Sequence, residues 1–263
     1  MIMQIGNLQL NVEDRGSGRP LLLIHGFPLN LEMWRPQIES LSTKQRIIAI
    51  DLRGHGLSPS TPGPYPMRLL AEDCAALIKA LEVDQPLVVC GFSMGGYISF
   101  SLYRHHPDLF SGLILASTRA GADTDQGKTN RGQAIAKVRQ QGIHPVIESM
   151  LPALVAPKTY QENHELVQQV TGIMEQTSPE GMISALQGMM ERPDSTGMLG
   201  EINVPTLIVH ALDDQIISIS DSEAMHTGIP NSQLEIIPEA GHLLNLEQEK
   251  KFNEIVTNFI NSI

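Results

Sequence analysis

The chain has 263 residues, a formal net charge of −11 and two cysteines. This length is sufficient for one large α/β domain with a sizeable core. The acidic balance argues against anionic partners, so we expect binding neither to nucleic acid nor to negatively charged membrane surfaces. The sequence shows neither a signal peptide pattern nor an apolar run long enough to span a bilayer, and we therefore expect a cytoplasmic protein. We interpret Cys74 and Cys90 as buried core thiols rather than as a disulfide or a metal site.

The N-terminal elements are predicted strands. Residues 2 to 13 alternate in polarity, which predicts two strands joined by a turn at Gly6-Asn7. The apolar run from Pro20 to Ile24 predicts a short buried strand that ends at His25-Gly26-Phe27-Pro28. A glycine directly after a strand lets the backbone turn with its N–H groups facing outward, so the N–H of Phe27 is a candidate donor to an oxyanion.

Two histidines and one aspartate around the next strand are interpreted as structural. Residues 46 to 50 predict another buried strand, which leads into a charged, glycine-rich loop. We assign Asp51 and His55 to hydrogen bonds within this loop, and His25 to a bond with nearby backbone. The alternative for each of the three is a catalytic role. A helix is predicted over residues 67 to 81.

The stretch from Pro86 to Phe100 combines a buried strand, a tight turn and the start of a helix. So abrupt a change from strand to helix forces Ser93 into a strained backbone conformation and exposes its hydroxyl at the edge of the sheet. A helix that begins at Met94 aims a backbone N–H and a positive dipole end at any oxyanion formed there. Ser93 is therefore a candidate nucleophile, and the alternative is a small residue selected only for a tight turn.

The alternation of strands and helices stops after Thr118. Residues 120–200 show only helical segments of about 10 to 18 residues, whereas buried strands are predicted again at residues 204 to 209 and 234 to 237. We therefore expect an α/β core with a mostly parallel sheet, formed by residues 1–119 and 201–263, and a helical insertion over residues 120–200.

The last two predicted strands are followed by candidate partners for Ser93. Asp213 and Asp214 lie just after the first of these strands, and His242 lies in a loop after the second. The carboxyl ends of parallel strands meet at one edge of a sheet. A serine nucleophile needs a base, which in turn needs a carboxylate to orient it, and we assign these roles to His242 and Asp213. Asp214 is interpreted as a turn or capping residue and is the alternative acid.

The chain resembles the α/β-hydrolase fold enzymes of the esterase and lactonase branch over nearly its whole length. The motifs that carry the resemblance are HGFP at 25–28, DLRGHGLS at 51–58, GFSMGG at 91–96, HALDD at 210–214 and AGH at 240–242. The order Ser93, Asp213, His242 is that of this family. The resemblance implies a helical cap at residues 120–200, after the sixth strand, and an acid at the fourth position of its loop motif, which is Asp213. The sequence departs from the family at His210, where glycine is usual.

The resemblance implies acyl transfer. Ser93 distinguishes the chain from the haloalkane dehalogenases and epoxide hydrolases of this fold, which have aspartate at that position. The implied activity is a carboxylesterase for small to medium esters that forms an acyl-enzyme on Ser93. Two alternatives stay open: an enol-lactonase or C–C bond hydrolase of a catabolic pathway with the same triad, and a ligand-binding protein that has retained the triad.

Further site residues follow from these assignments. The backbone N–H groups of Phe27 and Met94 form the expected oxyanion hole. Trp34, Phe92 and Met94 are candidates for contact with the substrate. The sequence has neither a cluster of metal-ligand residues nor a phosphate-binding loop, so we expect no metal and no cofactor. The expected partner is a small-molecule ester or lactone, and the oligomeric state is left open.

Overall fold

The computed structural model describes residues 1–263, and its eight strands form one sheet in the order β1-β2-β4-β3-β5-β6-β7-β8. The strands are β1 (Ile2–Ile5), β2 (Leu8–Arg15), β3 (Pro20–Ile24), β4 (Arg46–Ile50), β5 (Leu87–Phe92), β6 (Phe110–Ala116), β7 (Thr206–Ala211) and β8 (Ser232–Ile237). The pairings β1–β2 and β2–β4 are antiparallel, and all the others are parallel.

Every residue of β3, β5 and β7 is buried, which shows that both faces of the sheet are covered, as in other parallel sheets flanked by helices. The helices are α1 (Arg35–Leu41), α2 (Met67–Ala80), α3 (Met94–His105), α4 (Asp125–Gln141), α5 (His144–Leu154), α6 (Pro157–Glu162), α7 (His164–Glu175), α8 (Pro179–Met190), α9 (Ile219–Gly228), α10 (Leu244–Glu247) and α11 (Glu249–Ser262). Helix α1 packs against α11, and α2 packs against α3. None of the helices has the length and apolar character that a membrane crossing requires.

The predicted fold class is confirmed: the sheet is mostly parallel, helices flank it, and the segment between β6 and β7 is helical. Some details differ from the prediction. The sequence predicts the strand before the cap only over residues 113–116, whereas β6 begins at Phe110. It predicts one closing helix over residues 247–260, whereas the structure has two, α10 and α11, separated at Gln248. Helix α1 and the short 3₁₀ helix before it, Leu31–Trp34, were not predicted. Both are too short to show a clear apolar period. Pro36 also argues against a helix at first sight, although proline is well tolerated in the first turn of a helix.

The order of the strands reverses between β3 and β5. The chain passes from β3 to β4 on one side of the sheet, whereas β5 pairs with β3 on the other side. Ligands of open α/β sheets bind at the carboxyl ends of the strands where the order reverses in this way. The last residues paired there are Ile24 and Gly91, so the segments that follow β3 and β5 begin side by side.

Five helices, α4 to α8, form the segment between β6 and β7, which we call the cap (residues 120–200). Helix α8 lies directly on the loops that follow β4. A side chain at Gly181 would collide with the backbone of Gly54, and one at Gly188 would collide with the carbonyl of Tyr65. A spacing of seven residues is close to two helical turns, so both glycines lie on the same face of α8. The helix therefore packs backbone against backbone on the core.

A buried ion-pair cluster joins the two ends of the cap. Asp123, just before α4, binds Arg192, which follows α8, and Arg131. The guanidinium of Arg192 also stacks on the ring of Tyr97 in α3, 4.1 Å from its centroid. Burial tends to raise the pKa of Asp123, but the two arginines hold it below its usual value. Breaking a buried ion pair leaves a charge without a partner, which is strongly destabilising. The cluster therefore holds the two ends of the cap together and against the core.

Candidate active site

Ser93 lies in the turn between β5 and α3 with φ 51° and ψ −111°. A positive φ is costly for a residue other than glycine, so the surrounding contacts must maintain it. The N–H of Ser93 donates to the carbonyl of Ala116 (2.9 Å), and the hydroxyl of Thr118 donates to the carbonyl of Ser93 (2.8 Å). Helix α3 begins so close to β3 that a side chain at Gly95 would collide with the carbonyl of Ile24. The backbone therefore fixes the position of the Ser93 side chain.

The turn from Gly26 to Leu29 lies against Ser93. It is closed by a hydrogen bond from the N–H of Leu29 to the carbonyl of Gly26 (3.0 Å). A Cβ atom at Gly26 would lie 3.2 Å from the Cβ of Ser93, which shows how closely the two segments approach. The N–H of Phe27 takes no part in the bond that closes the turn. The N–H of Met94 is the first of α3 and has no acceptor within the helix. Both groups predicted to form the oxyanion hole thus belong to the two segments that meet at Ser93.

Buried histidines support this turn. His25 donates from Nδ1 to the carbonyl of Gly26 (2.8 Å) and accepts at Nε2 from the N–H of Leu52 (3.0 Å). Its ring centroid is 5.1 Å from that of His55, which is also fully buried. Burial lowers the pKa of His25 to about 4 and that of His55 to about 3, so both imidazoles are neutral at pH 7. Asp51 is likewise bonded within the surrounding loops. All three residues have the structural surroundings favoured from the sequence.

His242 is paired with Asp214 and not with Asp213. Its Nδ1–H donates to Oδ2 of Asp214 (2.8 Å), and the two side chains are 3% and 0% exposed. Asp213 is exposed and lines an open polar cleft together with Lys158 and Glu239. The assignment of Asp213 as the partner of His242 is therefore wrong in its geometry.

The turn after β7 explains why the second aspartate is the one that meets the histidine. Strand β7 ends at Ala211, and the N–H of Asp214 donates back to the carbonyl of Ala211 (3.2 Å), which folds Asp214 over the end of the strand. Oδ1 of Asp214 accepts from the N–H groups of Ile216 (2.8 Å) and Ile217 (3.0 Å). The predicted turn role of Asp214 is thus real, but it uses one carboxylate oxygen and leaves the other for His242.

The electrostatics of this pair favour a charged carboxylate. Burial tends to raise the pKa of Asp214, but the charge of His242, its hydrogen bond and the N–H groups of Ile217 and Ile216 together hold it below its usual value. An ionised Asp214 keeps the proton of His242 on Nδ1 and leaves Nε2 as the basic nitrogen. Ser93 and His242 form no direct hydrogen bond in this structure, and such contacts often tighten only when a substrate binds.

Two hydroxyls after β6 connect the serine and histidine segments. Ser117 donates to the carbonyl of His242 (2.9 Å), and the adjacent Thr118 donates to the carbonyl of Ser93 (2.8 Å). Both residues are fully buried. Neither residue was assigned a role from the sequence, although both stand directly after a parallel strand at the same edge of the sheet, where site residues are expected.

Glu247 connects the histidine loop to the cap. Its Oε1 accepts from the N–H of Gly241 and its Oε2 from the N–H of Ala156, each at 2.8 Å. The N–H of Leu243 also donates to the carbonyl of Leu154 (2.8 Å). The residues on both sides of His242 are therefore bonded to the connection between α5 and α6. This role of Glu247 was not predicted from the sequence.

The predicted substrate contacts require a correction. Trp34, Phe92 and Met94 are all fully buried, so their side chains offer no surface to a substrate. The ring of Phe92 lies edge-on to both Trp34 (6.1 Å) and His242 (5.1 Å). Of the three, only Phe92 lies against the ring of His242, at the end of β5, and Trp34 packs behind it in the core.

Neither cysteine has a partner, and both are buried, which raises the pKa of each thiol. No group of three or more histidine, cysteine, aspartate or glutamate side chains has the arrangement of a metal site. His210, where the sequence departs from the family motif, is buried in β7, and its Nδ1 forms a hydrogen bond with the hydroxyl of Ser222 (3.1 Å).

Comparisons with known proteins identify the family of the chain. The model of the alpha/beta hydrolase fold family matches residues 19–249. The 3-oxoadipate enol-lactonase 2 of Acinetobacter baylyi is 32% identical over 239 residues, which is 90% of this chain and 87% of that protein. The structure of a thermophilic esterase from Thermogutta terrifontis, with malate bound, has a TM-score of 0.94 and 38% identity over 97% of this chain and 94% of that one. An esterase from Exiguobacterium antarcticum has a TM-score of 0.89 and 28% identity over 99% and 98% of the two chains. The chain therefore belongs to the α/β hydrolase fold family, in its esterase and enol-lactonase branch.

Proposed function

We propose that the protein is a serine hydrolase that cleaves carboxylic esters of small to medium size through an acyl-enzyme on Ser93. One observation carries the proposal: a serine with a strained, positive φ lies at the same edge of the sheet as a buried pair of His242 and Asp214. Strain of this kind persists only where the fold maintains it, and it is typical of a nucleophile at a strand-to-helix turn.

In the first step, Oγ of Ser93 attacks the ester carbonyl carbon while Nε2 of His242 takes the hydroxyl proton. The carbonyl oxygen becomes an oxyanion, which accepts hydrogen bonds from the N–H groups of Phe27 and Met94. The bond to the leaving alcohol then breaks, and His242 returns the proton to the alcohol oxygen. Ser93 is left as an ester of the acyl group.

In the second step, water attacks the acyl-enzyme and transfers a proton to His242, and the new carboxylic acid leaves as Ser93 regains its proton. Asp214 stays ionised throughout and stabilises the imidazolium that forms twice in each turnover. Its lowered pKa suits this role, since a carboxylate that took the proton could not stabilise the imidazolium.

A second candidate function is lactone hydrolysis, favoured by the 32% identity to an enol-lactonase. The chemistry at Ser93 is the same, but the leaving oxygen stays attached to the acyl group because the ring opens. The same nucleophile, base and oxyanion hole therefore serve both reactions, and only the shape and polarity of the space beneath the cap distinguish them.

The test is hydrolysis of p-nitrophenyl esters of increasing acyl length, with ring opening of lactones measured in parallel. We expect turnover by the wild type and a loss of at least about 10⁴-fold in Ser93→Ala, because removal of the nucleophile leaves only the binding groups. Ser60→Ala, at an exposed position, is the control and should keep full activity. Activity that survives in Ser93→Ala would contradict the proposal. Turnover of lactones alone would favour the second function, and ligand binding without turnover would favour a non-catalytic role.

A further inference from the structure

The connection between α7 and α8 brings a cap hydroxyl to the turn that carries the Phe27 N–H. Thr177 lies in this connection and is 1% exposed. Its hydroxyl donates to the carbonyl of Pro28 at 2.7 Å, across 149 residues of sequence. A buried carbonyl without a donor is costly, so this contact determines where the Pro28 carbonyl points.

Two carbonyls of the turn are engaged in hydrogen bonds. The carbonyl of Gly26 accepts from the N–H of Leu29 and from His25, and the carbonyl of Pro28 accepts from Thr177. The Phe27 N–H belongs to the same planar peptide as the Gly26 carbonyl, so the direction of that carbonyl sets the direction of the N–H. If the Pro28 carbonyl lost its donor, the peptide between Pro28 and Leu29 would be free to rotate, and the Leu29 N–H that closes the turn would rotate with it.

Neighbouring contacts hold Thr177 itself in place. Asn30 donates to the carbonyl of Ile173 (3.1 Å) and to the side chain of Gln176 (3.1 Å). The N–H of Ser178 donates to the carbonyl of Gly54 (3.2 Å). The α7–α8 connection is therefore bonded on both sides of Thr177 to loops of the core, and the hydroxyl approaches Pro28 from a rigid support.

We propose that Thr177 is a positioning residue for the oxyanion hole: through the Pro28 carbonyl it fixes the direction of the Phe27 N–H. The cap thus contributes to the chemistry. This inference rests on the proposed function, in which Phe27 and Met94 bind the oxyanion. An oxyanion-hole donor acts only if it points to where the negative charge develops.

The test compares Thr177→Val, which keeps the shape and removes the hydroxyl, with Thr177→Ser, which keeps the hydroxyl. For the ester that the wild type prefers, we expect Thr177→Val to lower kcat about 10- to 100-fold, less than the loss of a whole donor, with KM changed less than about twofold. Thr177→Ser should restore kcat to within about threefold of the wild type, since its hydroxyl makes the same bond. Thr171→Val in α7 is the matched control and should keep kcat within about twofold of the wild type, because it removes the same hydroxyl from a cap helix, where it donates to the carbonyl of Val167 one turn earlier.

A fluorophosphonate provides a readout that does not depend on the correct ester. Oγ of Ser93 attacks the phosphorus while His242 takes the hydroxyl proton, and the phosphorus–fluorine bond breaks to release fluoride. The phosphoryl oxygen occupies the oxyanion hole, so the labelling rate should fall in Thr177→Val by a factor similar to the fall in kcat. Wild-type labelling and kcat in folded Thr177→Val would overturn the inference, as would equal losses in Thr177→Ser and Thr177→Val. Labelling of the wild type without hydrolysis of any ester would count against the proposed function alone, and the labelling rates would still decide the role of Thr177. A wild type that is not labelled at all would overturn both.

Discussion

The serine half and the histidine half of the candidate site are held in place by different means. Ser93 is positioned by its backbone: a positive φ, and a helix that begins so close to β3 that only glycine fits at position 95. His242 is positioned by hydrogen bonds to side chains, from Asp214 on its ring and from Ser117 and Glu247 on its loop. A backbone requirement restricts the sequence to glycines at fixed spacing, whereas a side-chain bond depends on which residues the fold brings together. The difference explains why Ser93 was assigned from the sequence and Asp214 was not.

The adjacent aspartates provide the sharpest test of the histidine half. Asp214→Asn should lower kcat on the order of 10⁴-fold, because an amide neither fixes the tautomer of His242 nor stabilises its imidazolium. Asp213→Asn is the matched control, because it replaces an aspartate by an asparagine at the preceding position, where the side chain is exposed. This variant should keep kcat within about twofold of the wild type. The measurement is the steady-state rate of ester hydrolysis by the two variants after circular dichroism has shown that both are folded.

A larger loss of kcat in Asp213→Asn than in Asp214→Asn would contradict the pairing in the structure and would make Asp213 the acid. Equal, large losses in both variants would mean that the acid loop acts as a unit, so that its exposed half also supports His242. Equal, small losses would show that His242 is not the base that Asp214 orients.

The serine half is tested by a backbone change. Gly95→Ala places a methyl group against the carbonyl of Ile24, and overpacking of this kind costs about 1–3 kcal/mol. We expect lower stability in urea unfolding and a loss of activity larger than the loss of folded protein, because the start of α3 and the Met94 N–H must move. Gly172→Ala in α7 is the control: a methyl group there meets open space, and alanine should raise helix stability by about 0.5–1 kcal/mol. A fully active Gly95→Ala would show that the close approach of α3 to β3 is not needed for the site.

Much of the fold could be predicted because buried parallel strands are continuous apolar runs. Leu87–Cys90 and Pro20–Ile24 are such runs, and the structure buries every residue of both. Helix α1 and the Leu31–Trp34 helix were missed because each offers only one or two turns of periodic signal. Predictions of fold therefore succeeded where the pattern was long and failed where it was short.

The site was predictable only where local sequence determines geometry. The motif around Ser93 identifies a strand-to-helix turn, whereas nothing local distinguishes two adjacent aspartates until the turn from Ala211 to Asp214 is known. Trp34 and Phe92 were assigned to the substrate because aromatic residues near a site often line it, but the fold turns both into the core. Thr177 could not be identified at all, since its partner is 149 residues away.

The two halves also differ in how they respond to acid. The serine half rests on His25 and His55, whose pKa values burial lowers to about 4 and about 3, from 6.5 in the unfolded chain. As pH falls below 6.5 the unfolded chain takes up protons that the folded protein does not bind, so stability falls from pH 6.5 down to about 4 for His25 and down to about 3 for His55. Asp214, whose pKa is lowered from 3.8, adds a loss of stability as pH falls below about 4. Carboxyl groups whose pKa is raised by folding, among them Asp51 and Glu247, add stability as pH falls and so oppose this loss. The contribution of one histidine is therefore measured as the difference in pH dependence between the wild type and a variant that lacks it.

The variant is His55→Asn, which removes the buried imidazole that lies next to His25, the residue bonded to the turn from Gly26 to Leu29. Asparagine can still donate to the carbonyl of Arg53, as Nδ1 of His55 does at 3.0 Å, but it does not titrate. We expect the variant to be less stable than the wild type at pH 7 because the ring is lost. Its further loss of unfolding free energy between pH 6.5 and 5.5 should be smaller than that of the wild type by about 1 kcal/mol. Urea unfolding at both pH values measures this difference, and His164→Asn, at an exposed position, should keep the wild-type slope. Parallel pH slopes in the wild type and His55→Asn would show that His55 is not held neutral, and would remove it from the support of the serine half.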